Sequence, residues 1–232
     1  MTITKVTIGV LLVVAMAIPV SAGVIGSPSA PVYLSTSLID STAAPGFVDG
    51  STLTSFSSGG LTVGLAAGQG AQWYNDGLGP ASDAIAFATD KTGADYVTSL
   101  TLEFNSPVTV FGFQAIPNDL DQAYSITANF YSSSNGTGAV LDTVTESLMG
   151  GYNSSSNELT GWGFFGAADD TIGSVVISTT DTGAAGKWDT GGFVLSELRY
   201  GTQDVAPEPA TSLLFAAGLV GLGLVSRRRL AR

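Results

Sequence analysis

An alternating segment followed by a tight turn constrains the fold of this chain more than any other feature. Apolar and polar residues alternate from Tyr124 to Phe130, which places the even-numbered side chains on one face of an extended strand. The residues from Ser134 to Gly138 then predict a turn, because Asn135 and Gly136 tolerate a positive φ. The apolar segment Val140–Thr145 then returns. The pattern predicts an antiparallel hairpin.

Similar short apolar segments recur along the chain, separated by glycine, serine, asparagine and proline. No 12-residue amphipathic helical pattern competes with them. We therefore predict an all-β domain, a two-sheet antiparallel β-sandwich of the jelly-roll type. The further predicted strands are Leu53–Phe56, Leu61–Leu65, Ile85–Ala88, Val97–Phe104, Val108–Ala115, Trp162–Phe165, Ile172–Thr179 and Phe193–Tyr200.

The N-terminus has the composition of a secretory signal peptide. Lys5 precedes an uncharged apolar segment, Ile8–Ile18, and small residues end at Ala22. We expect residues 1–22 to form a signal helix that is cleaved after Ala22. The alternative, an uncleaved membrane anchor, is disfavoured because the apolar segment is too short to span a bilayer comfortably.

The C-terminus repeats this combination in the opposite order. The apolar segment Leu213–Val225 precedes Arg227, Arg228 and Arg229. As a helix it would rise about 20 Å, against a hydrocarbon core of roughly 30 Å, so it predicts a short transmembrane helix. Arginines directly after an apolar helix hold that end in the cytoplasm, which leaves the bulk of the chain on the far side. A permanent single-pass anchor remains the alternative.

The Pro207-Glu208-Pro209 sequence, the short Gly/Leu/Ala helix and the arginine cluster together resemble the PEP-CTERM sorting signal of Gram-negative bacteria. The resemblance covers residues 206–232. It implies that Pro207, Glu208 and Pro209 are the motif recognised by an exosortase, and that Arg227 to Arg229 are the stop-transfer charge. It further implies Sec-type export, cleavage by signal peptidase, transient anchoring in the inner membrane and a final place at the cell surface or outside the cell.

Residues 23–205 would then be the ectodomain. The aromatic and glycine residues of Phe111-Gly112-Phe113 and Phe164-Phe165-Gly166 loosely resemble those of jelly-roll domains that precede such tails. This resemblance supports a fold and no particular ligand.

Composition excludes several classes of function. The chain has no histidine and no cysteine, which rules out disulfides, thiolate metal sites and Ser-His-Asp triads. Its net charge is −11, and the three basic and eighteen acidic residues between positions 23 and 206 give that part −15. We therefore expect no nucleic-acid partner, because binding to phosphates depends on lysine and arginine.

Two aromatic clusters are candidates for glycan binding, because an indole face stacks on a sugar ring while carboxylates accept hydroxyl hydrogen bonds. The first consists of Trp73, Tyr74 and Asp76, and the second of Trp188 and Asp189. The alternative is that these rings fill the core of the sandwich.

Two aspartate pairs are candidate calcium ligands, Asp119 with Asp121 and Asp169 with Asp170. Calcium prefers several oxygen ligands, but neither pair has the spacing of a known calcium loop. The alternative is ordinary turn chemistry, since aspartate side chains cap turns. We expect no other cofactor.

The sequence predicts a non-enzymatic exported protein of the cell surface or extracellular matrix that associates with polysaccharide. A secreted polysaccharide hydrolase is the alternative from another class, and it would need two carboxylates about 5–10 Å apart. Nothing in the sequence pairs two glutamates, and there is no Gly-x-Ser-x-Gly elbow or phosphate loop. A purely structural matrix protein is a third possibility.

Overall fold

A computed structural model describes residues 23–43, 47–80, 84–120, 122–183 and 191–202. Regular structure in these ranges is almost entirely β, with one short helix, α1 (Pro31–Leu34), and one 3-10 turn (Ser41–Ala43). The strands are β1 (Gly23–Val24), β2 (Ser37–Leu38), β3 (Thr52–Leu53), β4 (Ser55–Ser58), β5 (Leu61–Leu65), β6 (Gln69–Tyr74), β7 (Ile85–Asp90), β8 (Ser99–Pro117), β9 (Ala123–Tyr131), β10 (Val140–Met149), β11 (Gly151–Asn153), β12 (Glu158–Thr160), β13 (Gly163–Thr179) and β14 (Phe193–Gly201). The predicted all-β class is confirmed.

Two unusually long antiparallel strands, β8 and β13, form the centre of the domain. The first half of β13 pairs with the second half of β8, and the halves then exchange roles after register shifts around Ile172. The sequence predicted one strand on each side of Pro107. This prediction is wrong, because β8 continues through the proline. Proline cannot donate to a strand ladder and is tolerated at such irregularities.

Each long strand therefore contributes to two groups of strands, which we call the first and second arms. The first arm has the order β10-β9-β13-β8-β5-β4, and the second arm has the order β13-β8-β14-β7-β6-β3. β1 adds to β13 and β2 adds to β14. Every pairing is antiparallel, and β11 with β12 forms a separate hairpin.

One apolar cluster joins the two arms. It includes Val63 and Phe130 from the first arm and Trp73 and Phe113 from the second. Phe113 stacks on Phe165 with ring centroids 5.3 Å apart and planes at 11°. Burying each large apolar side chain of this kind contributes about 1.5–3 kcal/mol, so this cluster is the main source of stability.

The second arm is also covered on its other face. There Ile85, Ile116 and Val194 pack beneath partly buried residues that include Leu159 and Trp162. Nearby, α1 places the ring of Tyr33 directly over the second arm, where it lies edge-on to Phe164. Strands covered on both faces lose the clean alternation of apolar and polar residues.

The hairpin β9–β10 confirms the sequence prediction. Asn135 and Gly136 have φ of 57° and 61°, and the Thr137 N–H donates to the Ser134 carbonyl at 3.2 Å. The predicted inward positions Ile126, Ala128 and Phe130 are fully buried, and Tyr124 on the same face is partly buried.

The chain from Ser21 to Val205 forms one compact unit. Within the described ranges, no helix combines the length and the apolar character that a membrane crossing requires. The predicted signal helix at 1–22 and the predicted C-terminal helix at 213–225 lie outside the described residues.

Candidate functional site

The first aromatic cluster lies on a strand and not in the loop that the sequence suggested. Trp73 belongs to β6, is 2% exposed and packs edge-on against Phe56 with centroids 5.2 Å apart. A sugar ring cannot reach a side chain buried to this degree. The alternative that the sequence left open, a core position for Trp73, is the one that the structure shows.

Tyr74 points to the opposite face of β6, because neighbouring strand residues alternate. Its ring lies edge-on to Phe87 at 5.6 Å. Burial raises the pKa of the Tyr74 phenol, and the charges of Tyr96, Asp49 and Asp76 raise it further. The Asp76 carboxylate accepts a hydrogen bond from the Leu78 N–H at 3.2 Å, which is ordinary turn capping.

Trp73 and Tyr74 thus cannot form one stacking platform. The second cluster, Trp188 and Asp189, lies outside the described residues.

Asp119, the first calcium candidate, is used to organise loops. Its carboxylate accepts hydrogen bonds from the Tyr124 hydroxyl at 2.6 Å and from Gln122 Nε2 at 3.4 Å. Its own N–H donates to Asp181 Oδ2 at 3.0 Å, and the Gly183 N–H donates to Asp181 Oδ1 at 3.2 Å. The Asp181 carboxylate therefore connects the loop after β13 to the loop after β8, and the Asp119 carboxylate connects that second loop to β9.

The predicted partner of Asp119, Asp121, lies outside the described residues. Asp181 was missed by the sequence analysis, although an aspartate two residues after a strand and two residues before a glycine is a common turn signal.

Asp169 lies close to Asp142 of β10, an association that the sequence analysis missed. The Oδ2 atom of Asp142 is buried and has no hydrogen-bond partner among the described residues. Burial raises the pKa of the Asp142 carboxyl, and the neighbouring charge of Asp169 raises it further. The side chain of Asp170 is not described, and the described residues contain no group of three acidic side chains that could hold a metal ion.

A stability prediction follows from Asp142. Because its pKa is raised in the folded state, the folded protein binds this proton more tightly than the unfolded chain, and stability falls as pH rises above about 4. We expect Asp142→Asn to raise the Tm at pH 7 by about 1–2 °C, a small effect because solvent screens a part-buried group. The difference in Tm between Asp142→Asn and the wild type should vanish near pH 3.

Thermal melts from pH 3 to pH 8 measure this effect. Asp95→Asn removes the same charge from an exposed turn and is the matched control. An Asp142→Asn profile that parallels the control at every pH would contradict the prediction.

Glu146 is the second carboxylate on the inward face of β10. It accepts a hydrogen bond from the N–H of Phe164, which opposes the effect of burial, but burial is larger and the pKa of Glu146 is raised. Among the described strands, β10 pairs with β9 alone. An inward-pointing carboxylate on such an edge strand is a known means of discouraging edge-to-edge association.

A cavity of about 370 Å³ opens at the end of the domain where β14 finishes. We call it the hydroxyl pocket, because six of the ten described residues that line it carry a hydroxyl group and none of these ten is charged. The lining residues are Ser35, Thr36, Ser37, Gly59, Gly60, Leu61, Ser106, Tyr200, Gly201 and Thr202.

The turn between β4 and β5 forms one wall of this pocket. Gly59 and Gly60 have φ of 58° and 94°, a backbone conformation that glycine adopts at little cost. A Cβ atom at Gly59 would lie 2.5 Å from the Tyr200 hydroxyl, which donates to the Ser58 carbonyl at 2.8 Å. The absence of side chains therefore lets the turn pack on Tyr200 and leaves its backbone beside the cavity.

The pocket lies at the end of β14, since Gly201, the last residue of that strand, and Thr202 both line it. No curated protein and no solved structure matches the chain significantly. The family model of the PEP-CTERM protein-sorting motif matches residues 205–229, as the resemblance of Pro207-Glu208-Pro209 and Arg227 to Arg229 implied. The chain therefore carries a PEP-CTERM protein-sorting motif directly after its β domain.

Proposed function

We propose that this chain is an exported, non-enzymatic protein that an exosortase-type system sorts to the cell surface or the extracellular matrix of a Gram-negative bacterium. The observation that carries the proposal is the PEP-CTERM motif at residues 205–229. Its position supports the proposal, because the motif begins four residues after the last strand that the structure describes.

The two ends of the chain would direct its export and its anchoring in the membrane. A signal peptide at residues 1–22, cleaved after Ala22, would direct Sec-type export. The apolar segment 213–225 would then hold the protein in the inner membrane, with Arg227 to Arg229 on the cytoplasmic side, until the exosortase acts.

The exported domain would be a jelly-roll-like sandwich whose layers are the two arms, because a single apolar cluster contains residues of both. We further propose that the domain associates with extracellular polysaccharide. The uncharged hydroxyl pocket supports this association, and the proposal includes no cofactor and no catalytic residue.

The test is replacement of Pro207, Glu208 and Pro209 together by alanine in the native host. The expected result is that full-length precursor accumulates in the membrane fraction, because the exosortase no longer recognises the tail. Immunoblots of membrane and extracellular fractions with an antibody against the β domain measure the ratio of precursor to processed protein.

Replacing Ser154, Ser155 and Ser156 by alanine is the matched control, because these residues lie in the exposed turn between β11 and β12. Normal processing of the motif variant, at the rate of this control, would disprove sorting through the motif.

A further inference from the structure

We infer that the hydroxyl pocket binds a neutral sugar unit of a polysaccharide. This inference rests on the polysaccharide association in the proposed function and gives it a site. It replaces the aromatic platform at Trp73, which is buried in the core.

Three of the hydroxyl groups are available to a ligand. The side chains of Ser37, Ser106 and Thr202 are exposed and make no hydrogen bond within the part of the chain that the structure describes. Each can donate one hydrogen bond and accept two, which matches the hydroxyl groups of a sugar. Ser35 differs, because its hydroxyl already donates to the Val32 carbonyl at 2.9 Å.

The charge of the site selects a neutral ligand. Among the residues that the structure describes, no lysine, arginine, aspartate or glutamate lines the pocket. The nearest guanidinium described, that of Arg199, is engaged, since it donates to the Thr36 carbonyl at 3.3 Å and lies 5.8 Å from the ring centre of Tyr33. A carboxylate or phosphate would therefore contact no charged residue of the described lining and would meet the repulsion of a domain with net charge −15.

The size and shape of the pocket fit one or two sugar units. Its volume of about 370 Å³ lies at the lower end of the range for small-molecule sites. A Cβ atom built at Gly60 would meet nothing within 4 Å, so the pocket is open on the side of the glycine turn.

The test measures binding of maltose, cellobiose and glucuronic acid to the full-length chain in a detergent without a sugar headgroup. Saturation-transfer NMR and isothermal titration report the affinity. We expect at least one neutral disaccharide to bind with a Kd in the millimolar range, and glucuronic acid to bind at least tenfold more weakly.

Two pocket variants and a control locate the site. Ser106→Trp fills the pocket and should weaken binding at least tenfold. Replacing Ser37 and Thr202 by alanine removes two hydroxyls without adding bulk and should weaken binding several-fold. Ser155→Trp makes the same change as Ser106→Trp in the exposed β11–β12 turn and should bind as the wild type does.

Three outcomes would overturn the inference: no binding of either neutral disaccharide, preference for glucuronic acid, or unchanged binding by Ser106→Trp when its thermal melt shows a folded protein. Processing of the tail in the host is measured separately. If no sugar binds to the pocket, the proposal that the tail is sorted by an exosortase still stands. If the tail is not processed through the motif, sugar binding can still be measured.

Discussion

Phe113→Ala is expected to lower the free energy of unfolding by about 3–5 kcal/mol, because it removes a fully buried ring and leaves a cavity. The cavity cannot collapse easily. Phe113 stacks on Phe165 and lies 6.1 Å, centre to centre, from Phe111, and both neighbours belong to the long central strands. Since the apolar cluster contains residues of both arms, we expect one cooperative transition at lower denaturant concentration.

Urea unfolding, monitored by tryptophan fluorescence, measures the decrease in the free energy of unfolding of Phe113→Ala. Tyr152→Ala is the control, since Tyr152 is 52% exposed in the separate β11–β12 hairpin. The control should stay within about 0.5 kcal/mol of the wild type. A loss below about 1 kcal/mol for Phe113→Ala would mean that the stacked rings are not a rigid part of the core.

Gly112→Val is expected to lower stability by about 3 kcal/mol, because the site has no room for a side chain. A Cβ atom there would lie 2.7 Å from Tyr33 Cε2 and 3.2 Å from the Phe165 carbonyl oxygen. The Tyr33 ring cannot move aside freely, since it is buried, packs edge-on against Phe164 at 4.8 Å and donates its hydroxyl hydrogen to the Glu197 carbonyl.

Gly64→Val is the matched control, because a Cβ atom at this strand position would meet nothing closer than 3.9 Å. Valine also suits a strand better than glycine does, so we expect a change of no more than about 1 kcal/mol. A double-mutant cycle with Tyr33→Ala tests the cause. If Gly112→Val and Tyr33→Ala have additive effects, the ring is not the obstacle.

The sequence predicted the parts of the fold that local chemistry determines. The β9–β10 hairpin was predicted because alternation and an Asn-Gly turn are adjacent in the chain. Strand β6 was missed because Gly68 and Gly70 interrupt its apolar pattern and weaken the strand signal. Its structure comes from pairing with β7, which is a tertiary effect.

The sites were harder to predict, because their residues come from distant segments. The hydroxyl pocket combines residues from the α1–β2 segment, the β4–β5 turn, the middle of β8 and the end of β14. Serine, threonine and glycine occur throughout this chain, so no local pattern distinguishes those that share a cavity. The approach of Asp142 to Asp169 depends in the same way on how the strands β10 and β13 are placed.

The position of β14 has a mechanical consequence for a chain held by its C-terminal segment. β14 is an interior strand, bonded to β8 along one side and to β7 and β2 along the other. A pull on the tail acts along this strand, so many ladder hydrogen bonds share the load and must break almost together. A domain held through such a strand would resist unfolding by a pull on its tail better than one held through a strand that is paired on one side.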